Sequence, residues 1–153
     1  MADSGEKRRV SELIPFYREN GTIFIFFQKR SADAPRMPGM FGFFGGGAEE
    51  NESPEETLVR EINEELGIML NVSEYDFFGK YEFRTWIAFI FFMRVSKEFA
   101  DSVTVFEGES GVWFSEDDIA REEKFIDEDR IMLKDFFQHI RSDNSQIIEI
   151  FGD

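Results

Sequence analysis

Eight glutamates fall between Glu49 and Glu65 (Glu49, Glu50, Glu52, Glu55, Glu56, Glu61, Glu64 and Glu65), and Arg60 is the only cation among them. The same stretch carries the strongest helix signal in the chain. Ser53 is placed to cap, Pro54 suits a first turn, Glu56 completes a capping box and Gly67 supplies a C-cap, which predicts a helix over residues 53–66. At about 100° per residue, Leu58, Val59, Ile62 and Leu66 share one core-facing arc, and Glu61, Glu64 and Glu65 cluster beside it. Like charges at i, i+3 and i+4 repel by roughly a few tenths of a kcal/mol per pair, and no Lys offsets them. A divalent cation is the simplest counter-charge, and an all-carboxylate donor set selects a hard ion such as Mg2+, Mn2+ or Ca2+ over Zn2+. Cys is absent and His139 is the only histidine, so a soft-metal site has no ligands. Taken by itself the run reads equally well as a solvated acidic face. The glycines upstream, Gly45, Gly46 and Gly47, weigh toward a ligand, because they let backbone approach it closely and expose amides and carbonyls.

A length of 153 residues implies one domain around one core, with residues 1–8 and those after Arg141 loosely held. The net charge of −15, from 17 Lys and Arg against 32 Asp and Glu, argues against nucleic acid or an anionic membrane as a partner. The N-terminal MADSGEKRRVSELIPF has no apolar run before a small-residue cleavage site, so it does not read as a secretory signal. The longest apolar stretch, Trp86 to Met93, is under half of the roughly 20 residues a spanning helix needs, and it reads as a buried strand. The lack of Cys suits a cytoplasmic setting. Monomer and homodimer are both compatible with the sequence.

Elsewhere strands outnumber helices. Val10 to Tyr17 and Thr22 to Phe27 flank Glu19, Asn20 and Gly21, the signature of a hairpin. Ser31 to Met40 carries Pro35, Pro38 and Gly39 and reads as a loop into Met40 to Phe44, an apolar strand that ends at the glycines. Tyr75 to Phe83 and Thr85 to Val95 are expected strands, Val103 to Phe106 and Gly111 to Phe114 shorter ones, and Ile131 to Ile140 an amphipathic helix.

Gly46, five residues, Glu52, seven residues and then REINEELGI from Arg60 to Ile68 satisfy nine restricted positions within 23 residues. This run is similar to the Nudix box. The resemblance extends over roughly residues 20 to 115, through IFIFFQKRSADA before the box and FEGESGVWFS after it, which look like the MutT-type branch. It implies an α/β (α+β) Nudix fold, a mixed sheet between helices with the box as a loop, helix and loop. It also implies Glu61, Glu64 and Glu65 as metal ligands, joined by the carbonyl of Gly45, and a buried Glu52–Arg60 pair that orients the helix. Glu107 matches a further carboxylate, as metal ligand or base, with Glu109 as its rival. One departure is Phe44, where many members carry Pro.

The chemistry so implied is Mg2+-dependent, with Mn2+ as a substitute: hydrolysis of a nucleoside diphosphate linked to another group. The leading substrate is a nucleoside triphosphate, cleaved to monophosphate and pyrophosphate. Dinucleoside polyphosphates, nucleotide sugars and ADP-ribose are alternatives within that chemistry, and a nucleotide-binding Nudix-fold module without catalysis is an alternative outside it. Lys29 and Arg30, on a strand end aimed at the glycines, are the cations expected on substrate phosphates, close to Gly46, although ordinary surface charge explains them equally well. Trp86, Trp113, Phe77, Phe78 and Tyr81 could stack on a base, but core packing is favoured for them. Asp127 and Asp129 lie where related enzymes read a purine edge, with a helix N-cap as the favoured reading. His139 is expected at the surface.

Overall fold

The computed structural model describes the backbone of residues 6–151 and the side chains of residues 6–142. The chain runs β1 (Arg8–Glu19), β2 (Thr22–Lys29), β3 (Phe41–Gly42), β4 (Phe44–Gly47), α1 (Pro54–Leu66), β5 (Asp76–Glu82), β6 (Trp86–Arg94), α2 (Phe99–Ser102), β7 (Ser110–Ser115), α3 (Glu116–Arg121) and α4 (Asp127–Phe151). Asn20 at φ 53° and Gly21 at φ 81° make the two-residue turn between β1 and β2, a geometry that Asn-Gly adopts readily.

The strands form one mixed sheet with a helix on each face. Along β2, Ile23, Ile25 and Phe27 face α4, while Phe26 faces α1; along β6, Ala88 and Ile90 face α4, while Phe89, Phe91 and Met93 face α1. Because both faces are covered, these strands read as continuous apolar runs rather than as alternating ones. Met132, Leu133, Phe136, Phe137 and Ile140 bring α4 onto the first face, and Leu58, Ile62 and Leu66 bring α1 onto the second.

A fork in the sheet creates the site. Over Arg8–Phe16, β1 runs parallel to β6 on one edge. On the other edge it pairs with β2 only from Phe16 to Glu19, and then with β4 from Val10 to Leu13. As β1 leaves β2, β3 takes its place beside Gln28 and Lys29. The opening between β1 and β2 is thus bridged by β3 and β4, with the glycines at its rim.

Several expectations change. The single strand expected at Met40 to Phe44 is two short strands, and the glycines lie within β4 rather than after it. Val103 to Phe106 is not a strand: the amides of Thr104 and Phe106 donate to the carbonyls of Leu66 and Glu65, so this extended segment caps the end of α1. The last helix starts at Asp127, not Ile131, and α2 and α3 were not anticipated. The expectation of loose ends covers residues 1–8 and 142–153: residues 1–5 and 152–153 lie outside the described residues, Arg8 already belongs to β1, and the backbone of 142–151 continues α4. Among the described residues no helix is long and apolar enough to cross a membrane.

Phe44, in the place of the common Pro, is fully buried, pairs with Leu13 and stacks on Phe26 at 5.4 Å. Phe44→Ala is therefore expected to destabilise the fold by about 3–5 kcal/mol, measured by urea unfolding.

Candidate active site

Three glycines in succession are explained by three different neighbours. A Cβ on Gly45, at φ 143°, would overlap the Ser11 carbonyl and come within 2.7 Å of Glu12 Cα. On Gly46 it would overlap the Glu61 carboxylate, and on Gly47 it would meet the Arg8 guanidinium at 3.0 Å. Over Gly45–Gly47 the strand is a partition without side chains, with Glu61 on its α1 face and Arg8 on its α4 face.

Helix α1 begins as expected: Ser53 accepts from the Glu56 amide at 3.1 Å, and Glu56 accepts from the Ser53 amide at 2.9 Å. Gly67 closes it at φ 72°. The helix places Glu61, Glu64 and Glu65 along β4, where Glu65 accepts from the Gly45 amide at 2.8 Å. Arg60 gathers the negative groups around it. Its Nε and Nη2 donate to the two oxygens of Glu52 at 2.7 and 3.0 Å, Nη2 also reaches the Gly47 carbonyl at 2.9 Å, and Nη1 donates to Glu61 at 2.9 Å and Glu64 at 3.3 Å. The fork to Glu52 holds that carboxyl down at about 2.

Glu65 is in the opposite state. It is only 4% exposed, and burial, followed by the charges of Glu61 and Glu107, pushes its carboxyl up to about 9 against the pull of the Gly45 amide. Burial also raises Glu61, with Arg60 opposing and Glu64 and Glu107 reinforcing. Glu107 thus stands within electrostatic reach of both carboxylates, while Glu109 is turned to Lys29 at 3.3 Å. Among the described residues, no three such side chains converge to hold an ion as they stand; Arg60 draws Glu61 and Glu64 to itself. The donor chemistry nonetheless fits a hard divalent cation, because the carboxyls of Glu65, buried, and Glu61, half-buried, stand together beside a carbonyl-rich glycine strand and both are raised despite Arg60 and Arg30.

Across the glycine partition, on the α4 face, lies a cavity of about 640 Å³. Its walls include Val10, Phe43, Gly45, Gly46, Trp86 and Ile126, with Arg8, Arg30 and Arg36 as cations and Glu12 and Asp129 as acids. Glu12 was not singled out in the sequence, where it looks like an ordinary polar position of a strand; its Oε1 is buried without a partner. Asp129 corrects the favoured N-cap reading. It is the third residue of α4, 1% exposed, accepting from the Phe43 amide with one oxygen while Oδ2 has no partner. Burial, then the charge of Glu128, lifts it to about 7. Asp127 opens the same helix, exposed.

Of the two expected phosphate cations, Arg30 lines the cavity, whereas Lys29 is engaged by Glu109. Of the aromatics, Trp86 lines the cavity and stacks on Phe83 at 4.7 Å. Trp113 packs edge-on to Tyr17, Phe78 edge-on to Phe136, and Tyr81 donates to Asp135 at 2.7 Å, which are packing roles. Phe77 is 54% exposed, with its ring against Phe91. His139 is exposed on α4, beside Phe78 and Phe92.

A mixed sheet between two helices, with a glycine strand against a glutamate-rich helix, defines the class. The NUDIX domain family model matches residues 7–136, and the chain belongs to that family. It is 36% identical over 99 residues to the 8-oxo-dGTP diphosphatase of Escherichia coli (strain K12), covering 63% of this chain and 72% of that protein. It is also 36% identical over 66 residues to the nucleoside triphosphatase NudI of Enterobacter sp. (strain 638), covering 43% of this chain and 45% of that protein, under half its length. Among solved structures, a mutT/nudix family protein from Listeria innocua matches with a TM-score of 0.71 at 23% identity, over 91% of this chain and 97% of that one, a likeness of fold. The MutT NUDIX hydrolase of Burkholderia pseudomallei matches with a TM-score of 0.64 at 25% identity, over 84% and 97%.

The raised carboxyl of Glu65 has a consequence for stability. Between its unfolded value near 4.5 and its folded value of about 9, the unfolded chain gives up a proton that the fold keeps, so stability falls as pH rises through that window. In EDTA, Glu65→Gln is expected to raise the melting temperature at pH 7 to 8 and to leave it unchanged below pH 4.5, followed by thermal unfolding monitored with circular dichroism.

Proposed function

We propose that the protein is a divalent-metal-dependent pyrophosphohydrolase that splits a nucleoside triphosphate into monophosphate and pyrophosphate. The carrying observation is the carboxylate row of α1, with two raised acids, set across the three glycines of β4 from a nucleotide-sized cavity. Support for a triphosphate comes from the relatives called nucleoside triphosphatase and 8-oxo-dGTP diphosphatase.

Glu61, Glu64 and Glu65, with the Gly45 carbonyl and Glu107, would hold Mg2+, or Mn2+ in its place. Such an ion supplies shielding of phosphate charge, polarisation of a phosphorus–oxygen bond and a more acidic bound water. The chain's own part begins with Arg60, which fixes the carboxylates through Glu52 and Gly47. A carboxylate of the row accepts the proton of the attacking water, as that oxygen bonds to phosphorus and the bridging oxygen leaves with the pyrophosphate. Gly46 lets the phosphates pass close to the backbone, Arg30 counters their charge, and Asp129 in the cavity wall meets the base.

Incubating the protein with a panel of nucleoside triphosphates, nucleotide sugars, ADP-ribose and dinucleoside polyphosphates in Mg2+ tests this reading. Pyrophosphate and monophosphate are the expected products from a triphosphate; two monophosphates from ADP-ribose or a nucleotide sugar would move the assignment to that substrate. Glu64→Gln is expected to reduce kcat by several orders of magnitude with little loss of stability, since Glu64 is exposed. Unchanged hydrolysis in that variant would contradict the assigned chemistry.

A further inference from the structure

The cavity on the α4 face is lined by three guanidiniums, those of Arg8, Arg30 and Arg36. The chain carries 32 acids against 17 bases, yet among the described residues none of these three forms an ion pair. Their polar link is to one another: Arg30 Nε donates to the Arg36 backbone carbonyl at 2.7 Å, which ties the loop after β2 to the cavity wall. Burial, and then the nearby charge of Arg36, weakens the hold of Arg8 on its proton. Glu12 and Glu61 attract Arg8 from a distance, but with no ion pair made among the described residues the forks of these arginines can take an anion from outside.

The position of Arg8 says where that anion lies. Its guanidinium rests on Gly47, at 3.0 to 3.3 Å from where a Cβ would be, while the neighbouring Gly46 faces the Glu61 carboxylate. Successive strand residues point to opposite faces, so an anion held by Arg8 lies across the thin glycine run of β4 from the carboxylate row, at the neighbouring residue. Glycine at both positions leaves no side chain between the two. Glu12 and Asp129, each with an unpartnered buried oxygen, present hydrogen-bond acceptors elsewhere in the cavity wall. A ligand with N–H groups at one end and phosphates at the other satisfies both sets.

We propose that Arg8 and Arg36 grip the phosphate chain of the nucleotide where it passes from the cavity over Gly46 and Gly47 to the α1 carboxylates. This rests on the nucleotide reading of the site, and it adds two positioning residues from outside the glutamate helix. The planar fork of Arg matches two phosphate oxygens at once, which a Lys at the same place does not.

Binding separates this inference from hydrolysis. Nucleoside 5′-monophosphates and the corresponding nucleosides are titrated calorimetrically, in EDTA, into the wild type and into Arg8→Gln, Arg8→Lys and Arg36→Gln. The best-bound monophosphate is expected to lose about 10-fold or more in affinity in each Gln variant, the order of one charge-assisted hydrogen bond. Arg8→Lys should recover only part of that loss, and the nucleosides should bind all variants alike. Arg36 lies in a loop outside β1, so its variant reports even where a change at Arg8 disturbs the strand. Unchanged monophosphate affinity in Gln variants that melt like the wild type would overturn the proposal. So would a parallel loss for the nucleosides, or a wild type that binds monophosphates no better than nucleosides. If no triphosphate is hydrolysed but monophosphate binding still depends on Arg8, the pyrophosphohydrolase reading fails and the phosphate grip stands.

Discussion

Arg60 is the contact on which the site is built. It stands alone among eight glutamates, and each part of its guanidinium is used: two bonds to Glu52, one to the Gly47 carbonyl, and one each to Glu61 and Glu64. Those bonds join the loop before α1, the glycine strand and the carboxylate face of the helix. Isolated surface ion pairs contribute little, but this one is bidentate, partly buried and shared among four groups. Without it the like charges of the helix would repel with nothing to set their direction. Burial first, and then the negative charge that Arg60 leaves uncompensated, raises the proton affinity of the Glu61 and Glu65 carboxyls.

The glycines turn that arrangement into a two-sided site. Each lacks a Cβ for a different reason, against the backbone of β1, the Glu61 carboxylate and the Arg8 guanidinium. The carboxylates and the cavity therefore lie on opposite faces of one thin strand. The fork between β1 and β2 makes room for this strand, and the mixed pairing of β1, parallel to β6 and antiparallel to β2 and β4, sets its position.

Much of this was legible in the sequence where a local rule and the tertiary structure agree. Ser53, Glu56 and Gly67 delimit α1 through their own hydrogen bonds, and Asn20-Gly21 makes its turn from its own φ preference. Legibility fails where a segment's partner is remote. Val103 to Phe106 has the composition of a strand, but its amides are drawn to the end of α1. Asp129 resembles a cap because its sequence neighbours are acidic, yet the packing of α4 on β4 and β3 buries it beside Gly42 and the Phe43 amide. Glu12, Arg8 and Arg36 belong to no motif; only the fork of the sheet assembles them around one cavity. The start of α3 is as local as that of α1, set by the capping box of Ser115 and Asp118.

A divalent cation would complete the carboxylate row of α1. Because Glu65 holds its proton to about 9 in the metal-free protein, taking it up as a ligand must expel that proton. Titrating Mg2+ into the protein at pH 7.5, in buffers of differing ionisation enthalpy, measures the release directly by calorimetry. Saturable binding is expected with about one proton released per ion, and release that disappears in Glu65→Gln. Saturable binding without proton release, or no Mg2+ binding at all, would contradict it.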